Sequence, residues 1–548
     1  MRLWVFCSAM ASFAIAHAEG NILPFSTDFE TGVDGWHGGN VYASGPSRVP
    51  GGRFGGHAME QRAGNAVRSA FVWDALETNT AYTLSFFMKG TGSGKVKVSV
   101  ISENWTWLGV SGKAVGPHWQ RLVLPFRTRK ARFGRAFYIF LEFSGDGSAL
   151  YDGFRLEKGD KASPYEPPAL QFSCGLGEPG EIHFEEDGVP TMVARAAVTN
   201  AAGAFSVRLV DAHGAVAASV AMPSAAEVRI PLPGCAGSGY YPMRAELVGP
   251  DGKVLATHEA AFVVTRRAGG HPFFGMSSAT GVDATALRRV GFEWLRGNTK
   301  FWQWEERDAP RAFTGGEPVD KRRPDAFRRL ATTGGIAPSW ARAEGRRMWC
   351  DDPKKALPFF RHLVRTTRDV VDQYEIINEP DLTLPRENGV TFQQAISHYC
   401  DILETVAPVI HEGGRPVVID VSGVNEGRDF IEGVLSRTPE SVDIVSLHPY
   451  SWPRELADDG RTVSTPETGG FLDNLRLSLA MLSRYPKKRV VIGELGWALA
   501  MDASLSGRAS AKLGWYLARM YVLARSFPEI EYLIWYSLAN SPEMGRND

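Results

Sequence analysis

Glu379 and Glu494 are the two side chains whose surroundings suit them to chemistry. Each stands at the tip of a short apolar run: Gln373-Tyr374-Glu375-Ile376-Ile377 leads into Asn378-Glu379-Pro380, and Val490-Val491-Ile492 leads into Gly493-Glu494. A third run, Ile444-Val445-Ser446-Leu447, ends in His448-Pro449-Tyr450, and a fourth, Tyr532-Leu533-Ile534, ends in Trp535. Two carboxyl groups held about 5–5.5 Å apart can split a glycosidic bond by double displacement: one protonates the leaving oxygen while the other attacks the anomeric carbon. Groups at the C-terminal tips of different parallel strands converge when the strands close into a (β/α)8 barrel.

The elements that would bring them together are legible from about residue 271, where strands alternate with helices. The expected strands are His271–Met276, Phe292–Arg296, Gly335–Ala337, Gln373–Asn378, Val417–Val421, Ile444–Leu447, Val490–Gly493 and Tyr532–Trp535. The third is the faintest. Between them, Phe392, Ala395, Ile396, Tyr399, Ile402, Leu403 and Val406 have the spacing of one helical face, and so do Leu513, Tyr516, Leu517 and Met520. Glu379 and Glu494 would then end strands four and seven, across the barrel mouth. The chain ends soon after Trp535, so either the sequence is cut short or the barrel closes unusually.

At 548 residues the chain calls for several domains. The barrel, 271–548, is expected at the C-terminus, preceded by two all-β sandwiches. Residues 1–18 read as a cleaved signal peptide, with Arg2, an apolar stretch from Leu3 to Ile15, and Ala16-His17-Ala18. The expected location is therefore periplasmic or extracellular. Residues 21–167 alternate in short runs bounded by turn formers, as in a jelly roll, and residues 168–265 do so again, as in an immunoglobulin-like spacer. Trp73, Trp105, Trp107 and Trp119 are candidates to stack on sugar rings; the alternative for each is a place in the sandwich core. Cys174 and Cys235 fall in one expected domain and are either bridged or separate buried thiols. A formal net charge of −1 gives no sign of a nucleic-acid partner, and no run after the signal is long and apolar enough for a membrane span. No cofactor and no metal are expected.

Residues 271–548 resemble the retaining (β/α)8 glycoside hydrolases of clan A, with a lean towards family 39. The resemblance rests on Asn378-Glu379, Glu494, His448, Tyr450, Arg296 and Trp535 at successive strand tips. It implies that Glu379 is the acid/base and Glu494 the nucleophile. It further implies that Asn378 meets the sugar 2-hydroxyl, Arg296 pairs with the nucleophile, His448 and Tyr450 support nucleophile or substrate, and Trp535 floors the first subsite. Trp302, Trp304, Trp340, Trp452 and Trp497 lie near strand tips, and Trp340 is assigned to the cleft. Asn425-Glu426 repeats the dipeptide after strand five and reads as a loop pair. The opening Phe29-Glu30-Thr31-Gly32 and the closing Leu156-Glu157-Lys158-Gly159 resemble the ends of bacterial carbohydrate-binding jelly rolls. The expected partner is a carbohydrate substrate. The alternatives are a silent glycan-binding protein and a transglycosylase using the same two glutamates.

Overall fold

The computed structural model describes residues 21–38, 45–70, 72–73, 75–102, 106–129, 136–178, 181–198, 204–223, 225–267, 271–277, 284–298, 327–333, 352–385, 390–422, 425–450, 455–456, 465–467, 470–496, 498–499 and 507–536. The expected signal peptide, Trp105, Trp302, Trp304, Trp340, Trp452, Trp497 and Cys350 lie outside them, as does the Trp73 side chain.

Two sheets share the first core. One runs Trp36–Gly38, Ala66–Ser69, Ala136–Gly145, Gly94–Ser102, Trp107–Val115, with Val72–Trp73 also on Ala136–Gly145. The other runs Ser47–Pro50, His57–Arg62, Ser148–Lys158, Ala81–Gly90, Gln120–Arg127. Strand Gln120–Arg127 shows why they pack: Leu122, Leu124 and Phe126 are buried while Val123, Pro125 and Arg127 are exposed, the period-2 pattern of a sheet with one face on a core. Trp107 is 47% exposed, with the Lys97 ammonium 5.4 Å from its ring centroid. Trp119 is partly buried under Lys89.

A second pair of sheets follows, one of Leu170–Gly175, Thr191–Val198 and Ala225–Pro231, the other of Ile182–Phe184, Val254–Thr265, Gly239–Val248, Phe205–Asp211 and Val216–Met222. Their shared core includes Cys174 and Cys235, both free thiols. Gln171 Nε2 donates to Asp28 Oδ2 at 2.8 Å and Ser173 Oγ to the Thr31 carbonyl at 2.9 Å, which ties this unit to the one before it. Arg289 ties it to the next, donating to Glu178 Oε2 at 2.6 Å and to the Ile182 carbonyl at 3.0 Å.

Eight parallel strands then close a barrel: β1 (Phe274–Ser277), β2 (Trp294–Asn298), β3 (Arg328–Thr332), β4 (Gln373–Glu375), β5 (Val417–Val421), β6 (Ile444–Leu447), β7 (Arg489–Leu495) and β8 (Ile530–Tyr536). β8 completes the circuit by pairing with β1, Trp535 opposite Met276. The third strand is not the expected Gly335–Ala337, which lies outside the described residues. Leu330 and Ala331 pair with β2 and β4 instead. The arginines in front of them hid the strand, yet Arg329 is 1% exposed and its backbone N–H is held by Asp372 Oδ2 at 2.8 Å. β5 is buried at every position, because a parallel barrel strand is covered on both faces. Helix Phe392–Glu412 covers β4 and β5 with the expected apolar face, and a capping box of Thr391 and Gln394 satisfies its first turn. Among the described residues, no helix is long and apolar enough to cross a membrane.

Inside the barrel the side chains form layers. At the base lie Trp294, Leu330, Val418, Ile444, Val491, Tyr532 and Ile534. Two residues further along, the inward positions turn polar: Arg296 on β2, Glu375 on β4, Asp420 on β5 and Ser446 on β6, all buried. The apolar base is a rigid floor for charged groups above it.

The junction between the first two units holds two half-buried acids. Burial pushes the Glu181 carboxyl up to about 7, with the Asp34 charge adding to it against the bond from the Leu176 N–H. Burial likewise pushes Asp34 up to about 6. The folded state then binds a proton at Glu181 that the unfolded chain has released, so stability falls as pH rises from the ordinary carboxylate range through about 7. Glu181→Gln should therefore melt higher than the parent at pH 8, by up to the order of 3 kcal/mol at about 1.4 kcal/mol per unit, and match it near pH 4. Calorimetry at both pH values checks this; a variant advantage independent of pH would contradict it.

Candidate active site

The chain reaches the barrel mouth by abandoning regular strand geometry twice. After β4, Ile376 N still bonds Val418 O at 3.0 Å. Ile377 then turns to φ 64° and Glu379 to φ 46°. A β-branched residue seldom takes a left-handed conformation, and such strain collects at functional sites. Here Thr333 Oγ1 accepts the Ile377 N–H at 2.9 Å and Asp420 Oδ1 the Glu379 N–H at 3.0 Å. Glu379 also caps the short helix Pro380–Thr383, whose Leu382 and Thr383 N–H groups bond its carbonyl.

The second departure is on β7. Ile492 pairs with Leu533 but Leu495 with Trp535, so β7 spends three steps where β8 spends two. This bulge lets Gly493 and Glu494 both leave the outward row that Ile492 and Leu495 occupy. Gly493 is required, since a Cβ there would run into Ser446 Oγ.

One guanidinium organises what these departures deliver. Arg296 Nη1 donates to Glu494 Oε2 at 2.6 Å, and Nη2 to Glu375 Oε1 and to Asn378 Oδ1, both at 2.5 Å. Its Nε bonds both Glu375 oxygens, at 3.1 and 3.2 Å, and Asp420 Oδ2 is 3.4 Å from Nη2. Burial opposes the charge on Arg296, but Glu375, Glu494 and Asp420 outweigh it and hold the side chain protonated. Glu494 is held at its other oxygen too, with Tyr450 Oη donating to Oε1 at 2.6 Å.

On the facing side, His448 Nδ1 is 3.0 Å from Glu379 Oε1 and Nε2 is 3.3 Å from Asp420 Oδ2. A carboxylate oxygen of Glu379, a ring nitrogen of His448 and a carboxylate oxygen of Glu494 lie within 4.8 Å of one another. Burial, with the Glu375 charge adding to it, pushes Asp420 well above the usual carboxylate range, against the pull of Arg296. Asp381, behind Glu379, is raised to about 6 by burial, opposed by Ser422 Oγ at 2.5 Å and added to by the Glu379 charge.

Six of the sequence candidates therefore meet: Glu379, Glu494, Asn378, Arg296, His448 and Tyr450. Trp535 stands apart. It is 3% exposed within the apolar layer between barrel and helices, and the alternation of β8 gives the inward position to Tyr536. Trp340 lies outside the described residues. Glu426 sits exposed in the first turn of helix Asn425–Arg437. Sequence reasoning passed over Glu375, Asp420 and Asp381. The signal for the first two was an acid inside an otherwise apolar strand. Glu375–Asp420–His448 and Glu379–His448–Glu494 have the spacing of metal donors. Each set already contains a carboxylate bonded to Arg296, however, so the positive charge these acids need is supplied by the protein.

No protein-family model and no curated protein matches the chain. Among solved structures it is similar to the β-glucuronidase of Ruminococcus gnavus, with a TM-score of 0.32 and 10% identity over 86% of this chain and 82% of that one. It is similar too to that of Dictyoglomus thermophilum, with a TM-score of 0.31 and 12% identity over 86% and 83%. Likeness this slight fixes neither fold nor activity.

Arg296→Lys keeps a charge but loses the fork that serves three carboxylates and an amide at once. Removing one partner of a buried ion pair costs about 3–5 kcal/mol, and the variant should lose stability of that order in a denaturant titration. A loss below about 1 kcal/mol, the worth of a surface pair, would show that the network does not hold the barrel layer together.

Proposed function

We propose that the chain is an exported, retaining O-glycoside hydrolase of the clan A type. Its C-terminal (β/α)8 barrel would do the chemistry, and the two β-sandwich units ahead of it would be a carbohydrate-binding jelly roll and an immunoglobulin-like spacer. What carries the reading is the approach of Glu379 and Glu494, from strands across the mouth, to within 4.8 Å at their nearest oxygens. That is the narrow spacing of a retaining pair, with too little room for a water between carboxylate and anomeric carbon. The lean towards family 39 stays with the sequence motif and belongs to this proposal.

The two glutamates have unlike surroundings, and this sorts their roles. Glu494 is held at both oxygens, by Arg296 and Tyr450, which fixes the carboxyl group in place for attack. Glu379 faces His448 at 3.0 Å and lies beside two buried acids, Asp381 and Asp420, and its place in Asn378-Glu379 after β4 gives it the acid/base role in this reading. In the first step Glu379 gives that proton to the leaving oxygen as the glycosidic bond breaks, and Glu494 forms a glycosyl ester. In the second, Glu379 takes a proton from water, whose oxygen attacks the anomeric carbon and releases Glu494. Arg296 holds Asn378 Oδ1, which leaves the amide NH2 to donate to a sugar hydroxyl.

A fluorinated aryl glycoside that traps the ester should label Glu494, and Glu494→Gln should lower turnover by several orders of magnitude. Glu379→Ala should spare activated aryl glycosides far more than poor leaving groups, and azide should restore turnover of the activated ones. A label on any other carboxylate, or this behaviour from Glu426→Ala in place of Glu379→Ala, would overturn the assignment.

A further inference from the structure

Glu379 reaches the mouth on backbone that has left its strand, and the peptide unit joining Ile376 to Ile377 is where the departure begins. Both polar ends of that peptide are taken by side chains. The Ile376 carbonyl accepts from Tyr399 Oη at 2.5 Å, out of helix Phe392–Glu412. The Ile377 N–H donates to Thr333 Oγ1 at 2.9 Å, from the residue that follows β3. Ile376, Ile377, Thr333 and Tyr399 are each 0% exposed, so water does not stand in for either partner. Thr333 is placed for this by its own backbone, whose N–H donates to the Glu375 carbonyl at 3.0 Å. A parallel ladder continued from that bond would send the Ile377 N–H to the Thr333 carbonyl; the hydroxyl takes it instead. Burial, with Asp420 and Glu375 adding to it, pushes the Tyr399 phenol well above its ordinary range, so it stays a donor.

The orientation fixed in this way is one that Ile377 would not take unaided. Its φ of 64° lies in the left-handed region, which β-branched residues seldom enter. A planar peptide can turn over between its two Cα atoms, changing ψ of the residue before it and φ of the residue after it together by about 180°. Such a turn would return Ile377 to the extended region and remove its strain. Only Asn378 separates Ile377 from the acid, so the orientation of this peptide sets the direction in which Glu379 leaves β4. Resting on the hydrolase reading above, we propose that Thr333 and Tyr399 are positioning residues that grip one peptide unit at its two ends and so hold Glu379 where it can protonate the leaving oxygen. Neither touches substrate, since both are fully buried. Their grip is separate from that of Asp420, which accepts the Glu379 N–H at 3.0 Å one peptide beyond Asn378.

Thr333→Val and Tyr399→Phe each remove one hydroxyl and keep the shape of the side chain. On the full chain, each should lose at least about tenfold in kcat/KM on an unactivated phenyl glycoside of the sugar the parent accepts, and stay within about threefold on the 2,4-dinitrophenyl glycoside, which needs no proton. A variant that was only less stable would lose equally on both substrates. Thr333→Ser keeps the acceptor and should restore the phenyl rate. Because the two hydroxyls hold one peptide, the double variant should lose much less than the product of the single losses. Crystal structures of the variants should show the peptide turned and φ of Ile377 negative. Equal losses on the two substrates, or variants whose Ile377 peptide keeps the parent orientation, would overturn the proposal. If Thr333→Val fails to fold, Tyr399→Phe decides by the same substrate ratio and by its crystal structure. A parent that hydrolyses no glycoside would remove the hydrolase reading, while the variant structures still decide whether the two hydroxyls hold the peptide.

Discussion

A single buried cation among acids is the constraint from which the rest of the barrel follows. Arg296 is 3% exposed and lies within ion-pair distance of Glu375, Asp420 and Glu494. The guanidinium can serve them together because its donors are fixed in a plane. Of the three acids Asp420 is the furthest from Arg296, and burial together with the Glu375 charge pushes its carboxyl well above the usual carboxylate range. Surface pairs such as Lys158–Glu77, both more than half exposed, are screened by solvent and contribute little. Removing one partner from the Arg296 network instead strands buried charge, and that is what makes the network costly to break. Its positions, two residues along each strand from an apolar floor, couple barrel folding to the placement of Glu494.

The same network gives the two glutamates different characters. Glu494 shares the cation, and Glu379 shares a histidine with a buried acid. Neither difference comes from the glutamates themselves or from their immediate neighbours in sequence. Both come from which inward positions of β2, β5 and β6 lie alongside. Two carboxyl groups of one chemical type thus differ in environment, the difference on which the proposed division of roles rests.

Much of this was legible in the sequence, for physical reasons that also mark where reading stops. Apolar runs ending in polar words gave the barrel grammar and six of the residues that converge at the mouth, because strand tips of a parallel barrel share one end. β3 was misplaced because two arginines precede Leu330, and nothing local says that Arg329 is buried. Glu375 and Asp420 were written in plain view within apolar strands, but their meaning depends on alternation inside a closed barrel. Trp535 shows the same limit from the other side. It stands at the right tip, yet a period of two places it in the outer layer and turns Tyr536 inward, and the three-against-two step of β7 cannot be counted before the partner strand is known.

The central claim is that Glu379 and Glu494 act as a closely spaced pair through a covalent glycosyl intermediate. Proton NMR of the first-formed sugar, recorded before mutarotation on an aryl glycoside that the enzyme accepts, tests it most directly. The account predicts a product with the anomeric configuration of the substrate, because two displacements at one carbon restore it. A first-formed product of inverted configuration would contradict it, since inversion requires room for a water between the sugar and a carboxylate, whereas an oxygen of Glu379 and one of Glu494 lie within 4.8 Å of each other.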